Sequence, residues 1–402
     1  MNGAAEKPTR IALATQRFWP QVGGIETAVA TLAAEFRRQG HRPTIVAPQW
    51  EKHWPRELVH REVPVLRLPP APHTGWGTLR YMYSLSHWLS GNANKFDALL
   101  VAGLRHDAYC AIGALQDSRV PIVLRAEGAG ATGDCKWQRD VRFGLRIRRR
   151  CQQAAAVVAP SDAAATELRE AGYDAERIVR IDNGVPLPEL RSPQRRDAAR
   201  MALGTANHDL ASKPESPVVV SIGRLHATKG LLDLVNAWPK VLDRHAGAKL
   251  WIVGEGPERE RLFARIGDLG LKYQICLPGA FDDVEELLQA ADLFVVPAYE
   301  QRTSLGLLEA MAAGVPVIAS DIPAHRTCVE HEATGLLYAA RDARALSVAM
   351  LRAIERPGEA VMLGAAARAV VEQRYALARM ATQHLELIRR LRARNSQAAT
   401  GH

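Results

Sequence analysis

Short apolar runs alternate along this chain with longer segments whose apolar positions recur at helical spacing. Such alternation predicts βαβ units and parallel sheets, an α/β fold class. In the first half the strand-like runs are "RIALAT" (10–15), "RPTIVAP" (42–48), "VPVLRL" (63–68), "DALLVA" (97–102), "PIVLRAE" (121–127) and "AAAVVAP" (154–160), with "RIVRIDNGV" (177–185) closing that half. Between the first two, "GIETAVATLAAEFRRQGH" predicts a helix that stops at Gly40. The next stretch, "PLPELRSPQRRDAARMALGTANHDLASKPESP", is rich in Pro, Ser and Arg. It predicts an interdomain connection with one short helix and no buried strand. The second half repeats the logic with "PVVVSIG" (217–223), "KLWIVGEG" (249–256), "QICLPG" (274–279), "LFVVPA" (293–298), "VPVIAS" (315–320) and "GLLYA" (335–339). From residue 359 onward the pattern is helical and ends in a basic tail. Two doubly wound domains are therefore expected, with ligands at the carboxyl ends of their strands.

The 402 residues suit two domains of about 150–200 residues each. A content of 47% apolar and 24% charged residues is that of an ordinary soluble globular protein. No uncharged apolar stretch approaches the roughly 18 residues a bilayer span requires. The opening "MNGAAEKPTR" has no apolar core, so no secretory signal is expected. Five cysteines, odd in number and without a CxxC pair, predict reduced packing residues in a cytosolic protein.

A formal net charge of +9 favours anionic partners. Nucleic acid is not expected, because zinc-ligand spacing and aromatic-interleaved basic motifs are missing. Basic density peaks in "KWQRDVRFGLRIRRR" (136–150). That segment reads either as a solvated helix face or as a patch for an anionic membrane or acceptor. Its apolar positions Val141, Phe143, Leu145 and Ile147 suit a strand as well as a helix.

Four turns at predicted strand ends carry the candidate chemistry. In "WPQVGGIE" (19–26), Gly23 and Gly24 lead into a helix whose N-terminal amides suit an oxyanion, although many βα turns carry glycine for geometry alone. In "SIGRLHATKG" (221–230), Gly223 is followed by Arg224 and then Lys229. Two cations on one turn at the end of a buried strand fit a diphosphate, the arginine forking across oxygens and the lysine acting as a point charge. The bland alternative is two solvated surface cations. "VGEGPERERL" (253–262) holds Gly254 in a GxG that reads as a tight turn. "EGAGATGD" (127–134) formally contains GxGxxG but lacks the first-strand position and the acidic partner of a dinucleotide site. With no Asp-x-Asp pair and no His cluster, no metal or other cofactor is expected. Leaving-group charge would then fall to Arg, Lys and backbone amides. Finally, in "PAYEQRTSLGLLEAMAAGVPVIAS" (297–320), Ser304, Leu305 and Gly306 open a helix with unpaired N–H groups. One turn on, Glu309 offers a carboxylate to sugar hydroxyls, or is an exposed helix glutamate and nothing more.

Together "GRLHATKG", "VGEGPERERL", "LLQAADLFVVPAYE…LGLLEAMAAGVPVIASD" and "EATGLLY" resemble the C-terminal domain of retaining family 4 glycosyltransferases. "GGIETAVATLAAEFRRQGH" and "VVAPSDAAATELREAGYDAERIVRIDNGV" resemble the matching N-terminal domain. The resemblance implies a GT-B fold, two Rossmann-like domains with a nucleotide-sugar donor between them and held mainly by the second. It implies an acceptor-side domain over 1–190, a connection over 191–216, a donor-binding domain over 217–375, and a C-terminal helix over 376–402 crossing back to the first domain.

By position, Arg224 and Lys229 match the family's diphosphate-binding cations, and Glu309 matches the second glutamate of its E-x7-E motif, which holds the ribose hydroxyls. Gly23 and Gly24 match the glycine loop near phosphate and acceptor, and the amides of Ser304 to Gly306 would hold the donor sugar. Two departures stand out. Gln301 occupies the first-glutamate position with Glu300 beside it, and either residue would take that role. Where the family often has His-Gly, this chain has Glu127-Gly128, so Glu127 would contact a sugar hydroxyl, help deprotonate the acceptor, or pair with Arg125. The implied activity is retaining transfer from a UDP- or GDP-type sugar to a saccharide, lipid-linked or small-molecule acceptor, in the cytoplasm or on the inner membrane face. A non-catalytic nucleotide-sugar-binding subunit and a GT-B isomerase or phosphorylase are the alternatives.

Overall fold

The computed structural model describes residues 7–21, 23–69, 75–130, 133–300 and 305–400. The chain forms two compact units, Met1–Gly184 with Leu377–His402, and Val185–Ala376. The first holds β1 (Arg10–Ala14), β2 (Arg42–Pro48), β3 (Glu57–His60), β4 (Val63–Leu68), β5 (Ala98–Ala102), β6 (Ile122–Arg125), β7 (Ala156–Ala159) and β8 (Ile178–Arg180). They form one sheet in the order β3-β4-β2-β1-β5-β6-β7-β8. All pairings are parallel except β3 with β4. The central strands β5 to β7 are buried on both faces, which is why they read as continuous apolar runs.

The β3–β4 hairpin was not expected. Its strand Glu57–His60 alternates only between half-buried and exposed positions. Arg61 and Glu62 form its turn with φ of 48° and 61°. That mirror-image turn ordinarily recruits Asn-Gly, so its usual sequence signal is missing.

The second unit holds β9 (Val218–Ile222), β10 (Lys249–Val253), β11 (Ile275–Cys276), β12 (Leu293–Val296), β13 (Val317–Ser320) and β14 (Leu336–Tyr338). All pair in parallel, in the order β11-β10-β9-β12-β13-β14. Counted from β9 this is the doubly wound order 3-2-1-4-5-6, whose switch point lies between its first and fourth strands. Here these are β9 and β12.

The segment 191–216, expected to be a connection, is instead an integral part of the second unit. It carries the helix Pro193–Ala206, capped by the Ser192 hydroxyl accepting the Arg195 N–H at 3.2 Å. Three of its arginines converge on one carboxylate. Asp292 takes Arg200 at 2.5 Å and both Arg191 and Arg196 at 3.4 Å. The same carboxylate accepts the Val218 N–H at 2.8 Å, fixing the start of β9. Arg200 is buried and also donates to the carbonyls of Ala290, Pro214 and Ser216.

The C-terminal helix Leu377–Thr400 belongs to the first unit. Met380, Ala381, Leu385 and Ile388 join the core cluster that holds Phe36 of the helix Gly24–Arg38. These positions recur at helical spacing, so one apolar stripe accounts for the docking.

Removing the shared carboxylate should strand three guanidinium groups, one of them buried. Asp292→Asn is expected to cost about 3 kcal/mol in denaturant unfolding of the second unit. Amide exchange at Val218 should rise with it, and an unchanged midpoint would refute the shared-anion account.

Candidate functional site

The second unit brings its predicted residues to the carboxyl ends of β9, β10 and β12. Gly223 follows β9 directly and donates its N–H to Val253 O at 2.9 Å. The Leu225 N–H donates to Glu255 O at 2.9 Å, and the Glu258 N–H returns to Leu225 O at 3.0 Å. Gly254, after β10, has a φ of 140°, and a Cβ there would overlap the Gly223 carbonyl. The GxG of "VGEG" is therefore the zipper between two loops, and Gly254 acts through that packing.

This zipper turns Leu225 into the core and leaves Gly223 and Arg224 exposed. Arg224 forms no ion pair among the described residues. A one-turn 3₁₀ segment, Ala227–Lys229, follows, with the His226 ring accepting the Thr228 N–H at 3.3 Å. Gly230 then adopts a left-handed φ of 63° and starts the helix Leu231–Leu242. A Cβ at residue 230 would overlap the Pro297 carbonyl oxygen.

That contact fastens the β9 loop to the β12 loop. The Thr228 carbonyl accepts the Tyr299 N–H at 2.8 Å and the Glu300 N–H at 3.4 Å. Tyr299 donates its hydroxyl to Asp233 at 2.7 Å, and Arg341 lies 3.9 Å over its ring. Burial and the Asp233 bond push the Tyr299 phenol up to about 12. Beneath the loop, buried His325 bonds the Ser320 carbonyl through Nδ1 at 2.7 Å. Burial takes its pKa down to about 4, and Lys229 adds to the effect, so the ring is neutral.

The helix Leu305–Ala312 begins at the same place. Gly306 lies against Ile222 O at the end of β9, where a Cβ would approach to 3.3 Å. The first-turn amides of Leu305 and Gly306 thus sit at the switch point. Glu309 is half-buried one turn on, and Glu300 is exposed. Ser304 and Gln301 lie outside the described residues. The pattern missed Thr228, Tyr299, Asp233 and Arg341, because a lock between loops leaves no periodic trace.

Gly23, Gly24 and Glu127 belong to the first unit and form their own arrangement. Gly23 caps the helix Gly24–Arg38 in an extended conformation. The Glu26 carboxylate folds back over that terminus, into the space a Cβ on Gly23 would need. Its pKa is raised, chiefly by burial. A carboxylate of the chain's own therefore lies beside the two glycines at which an oxyanion is expected. An acidic residue in the helix's first turn was the readable signal.

Glu127 favours the charge of Arg125 and forms its ion pair with Arg105. Its Oε2 accepts Arg105 at 3.0 Å, and Arg105 also donates to Asp134 at 3.1 Å. Asp134 in turn accepts the Glu127 N–H at 2.8 Å. Arg125 is buried, donates to Asn183, and has its pKa lowered to about 10 by burial. The basic segment 136–150 is helical, split into Asp134–Asp140 and Gly144–Cys151 by Phe143, whose φ is 66°.

Comparison with known proteins gives two family matches. "Glycosyltransferase Family 4" matches residues 22–188, and "Glycosyl transferases group 1" matches residues 216–356. A GDP-mannose-dependent alpha-(1-6)-phosphatidylinositol monomannoside mannosyltransferase of Mycobacterium tuberculosis is 28% identical over 392 residues, 90% of this chain and 93% of that one. A D-inositol 3-phosphate glycosyltransferase of Nocardia farcinica is 33% identical over 175 residues, 41% of this chain. The chain spans only 37% of that relative, and 32% of an uncharacterized Methanocaldococcus jannaschii glycosyltransferase to which it is 34% identical over 30% of its own length. Among solved structures, sucrose-phosphate synthase from Thermosynechococcus elongatus superposes with a TM-score of 0.78 at 23% identity, over 96% of this chain and 99% of that one. An Anabaena protein, HepE, in complex with UDP-glucose gives 0.73 at 21%, over 94% and 98%. At such identities the likeness establishes the fold, which is GT-B.

The lock between the β9 and β12 loops has a direct test. Gly230→Ala must leave the left-handed region or displace Pro297, and is expected to cost at least about 2 kcal/mol. Nucleotide binding should weaken in step. Wild-type stability for this variant would show that the loops are not fastened there.

Proposed function

The chain belongs to the group 1, family 4 glycosyltransferases, and on that premise we propose that it moves a sugar from a UDP- or GDP-type donor to an acceptor hydroxyl with retention of anomeric configuration. The observation that carries this reading is the exposed Arg224, without an ion-pair partner among the described residues, on the same β9 turn as Lys229 and beside the N-terminus of Leu305–Ala312. A departing diphosphate is the dianion such a turn fits. Arg224 forks across its oxygens, Lys229 supplies a point charge, and the helix amides add their partial charge. Glu309 takes the ribose hydroxyls. Glu300, or Gln301 beside it, takes the donor sugar with the amides of Ser304, Leu305 and Gly306.

Stabilising the leaving diphosphate is the difficult part of the reaction, and here protein cations and amides perform it without a metal ion. The acceptor hydroxyl attacks on the face the diphosphate leaves and gives its proton to a donor phosphate oxygen. The phosphatidylinositol mannosyltransferase named above uses GDP-mannose, and HepE is bound to UDP-glucose. Those names support a nucleotide-sugar donor. Gly23, Gly24 and Glu127 serve the acceptor side. We place the protein in the cytoplasm, where the basic segment 136–150 contacts the inner membrane face during polysaccharide, lipopolysaccharide or glycolipid assembly.

Removing one electrostatic contact to a developing anion typically costs about 3–4 kcal/mol. Arg224→Ala and Lys229→Ala are each expected to lower turnover at least about a hundredfold with unchanged circular dichroism. Near-normal rates in both would overturn the diphosphate assignment. A thermal-shift panel of UDP, GDP and ADP with their sugars identifies the donor, since bound ligand raises stability by mass action.

A further inference from the structure

On the first unit, the helix Gly75–Asn92 turns Tyr81, Leu85 and Leu89 into the core. The opposite side carries Trp76, Leu79 and Tyr83, which are 79%, 57% and 74% exposed. Their spacing of three and four residues puts them in one row along the helix. Arg80 is exposed on the same side, and no Asp or Glu occurs between residues 75 and 92. Scattered apolar residues on a surface need no explanation, but an aligned row of three does.

A second set lies close by. Phe143 and Leu145 are 64% and 60% exposed at the start of the helix Gly144–Cys151. Phe143 has a left-handed φ of 66°, and the following Gly144 packs against the Gln138 backbone too closely for a side chain. An aromatic residue in that conformation is strained, and its exposed ring recovers little by packing within the unit. Arg142 stacks over the Phe143 ring at 5.0 Å, and Arg146 and Arg150 lie over Tyr109 at 6.0 and 4.0 Å. Residues 141–151 contain five arginines and no carboxylate.

The two sets share one surface. The helix His106–Ala114 packs against both Gly75–Asn92 and Gly144–Cys151. All three helices send side chains into the same core cluster, on one face of the sheet. Gly75–Asn92 leads into β5 and Gly144–Cys151 leads into β7, so both begin at the strands' carboxyl ends. Trp76, Leu79, Phe143 and Leu145 therefore lie toward the end of the sheet where Glu127, Arg105 and Asp134 meet.

We propose that this face, with Trp76, Leu79 and Tyr83 as its inserting row and the 142–150 arginines as its anionic-headgroup contacts, seats the first unit on an anionic bilayer, and that the acceptor is a membrane-borne amphiphile. Aromatic and aliphatic side chains amid arginines, on two helices that carry no carboxylate, complement an anionic lipid surface in both chemistry and charge. Docking there brings the Glu127 end of the sheet to headgroup level, where the hydroxyls of a lipid-anchored acceptor stand. The acceptor half of this inference rests on the proposed transfer reaction, whereas the docking half does not.

Co-sedimentation of the full chain with vesicles of phosphatidylcholine, with and without phosphatidylglycerol, tests it. Binding is expected only to the anionic vesicles and should fall as salt rises. The double variant Trp76→Ser, Tyr83→Ser should lower the partition coefficient at least about tenfold. Its donor hydrolysis in solution should stay at the wild-type rate. Equal partition of wild type and variant, no preference for anionic vesicles, or a dimer of this chain abolished by the same substitutions would overturn the docking face. If the wild type neither hydrolyses a donor nor is stabilised by any nucleotide, the transfer reading fails while the vesicle result stands on its own.

Discussion

The candidate site of the second unit depends on one close approach of backbone to backbone. At residue 230 there is no room for a side chain, because the Pro297 carbonyl already occupies it. The left-handed turn this permits carries the chain from Lys229 into the next helix, and the Thr228 carbonyl then accepts the Tyr299 N–H. Two strands adjacent in the sheet thereby have their loops fastened as one surface. Gly254 does the same work between the loops after β9 and β10. With both fastenings in place, Arg224 and Lys229 rest on a rigid base instead of on a wandering loop, which lowers the entropic cost of holding an anion there.

The order of strands explains why this surface forms where it does. β9 is the centre of its sheet, with β10 on one side and β12 on the other. The helices leaving β9 and β12 pack into different core clusters on opposite faces of the sheet, and the first-turn amides of Leu305–Ala312 begin at the switch point between them. Asp292, drawing in three arginines while capping the start of β9, secures the opposite end of that strand. Charge in a segment that the sequence presents as a connection is therefore part of the frame.

Much of this was legible from pattern alone, for identifiable reasons. Strands buried on both faces leave unbroken apolar runs, and all of the expected strands are present. β3 was missed because its residues are half-exposed and its turn uses Arg61 and Glu62 where glycine is usual. Residue types at a turn put Arg224 and Lys229 after β9, since a sequence states charge directly, and the structure leaves Arg224 exposed there. What a sequence does not state is which partner a charge finds. Glu127 was read as a sugar or acceptor contact or as a partner of Arg125, and the structure adds an ion pair with Arg105 across strands. The glycine pair at 23–24 predicted an anion site, and the chain's own Glu26 carboxylate lies against it. Of the positions proposed for the donor sugar, Ser304 and Gln301 lie outside the described residues, whereas Leu305 and Gly306 stand at the end of β9.

The central claim is that a diphosphate binds at the β9 turn, held by side-chain cations and helix amides. A crystal structure of the protein with UDP or GDP tests it most directly. The account predicts phosphate oxygens within hydrogen-bond distance of the Arg224 guanidinium, the Lys229 ammonium and the first-turn amides near Gly306. Phosphates bound elsewhere, or joined to the protein through a metal ion on carboxylates, would contradict it.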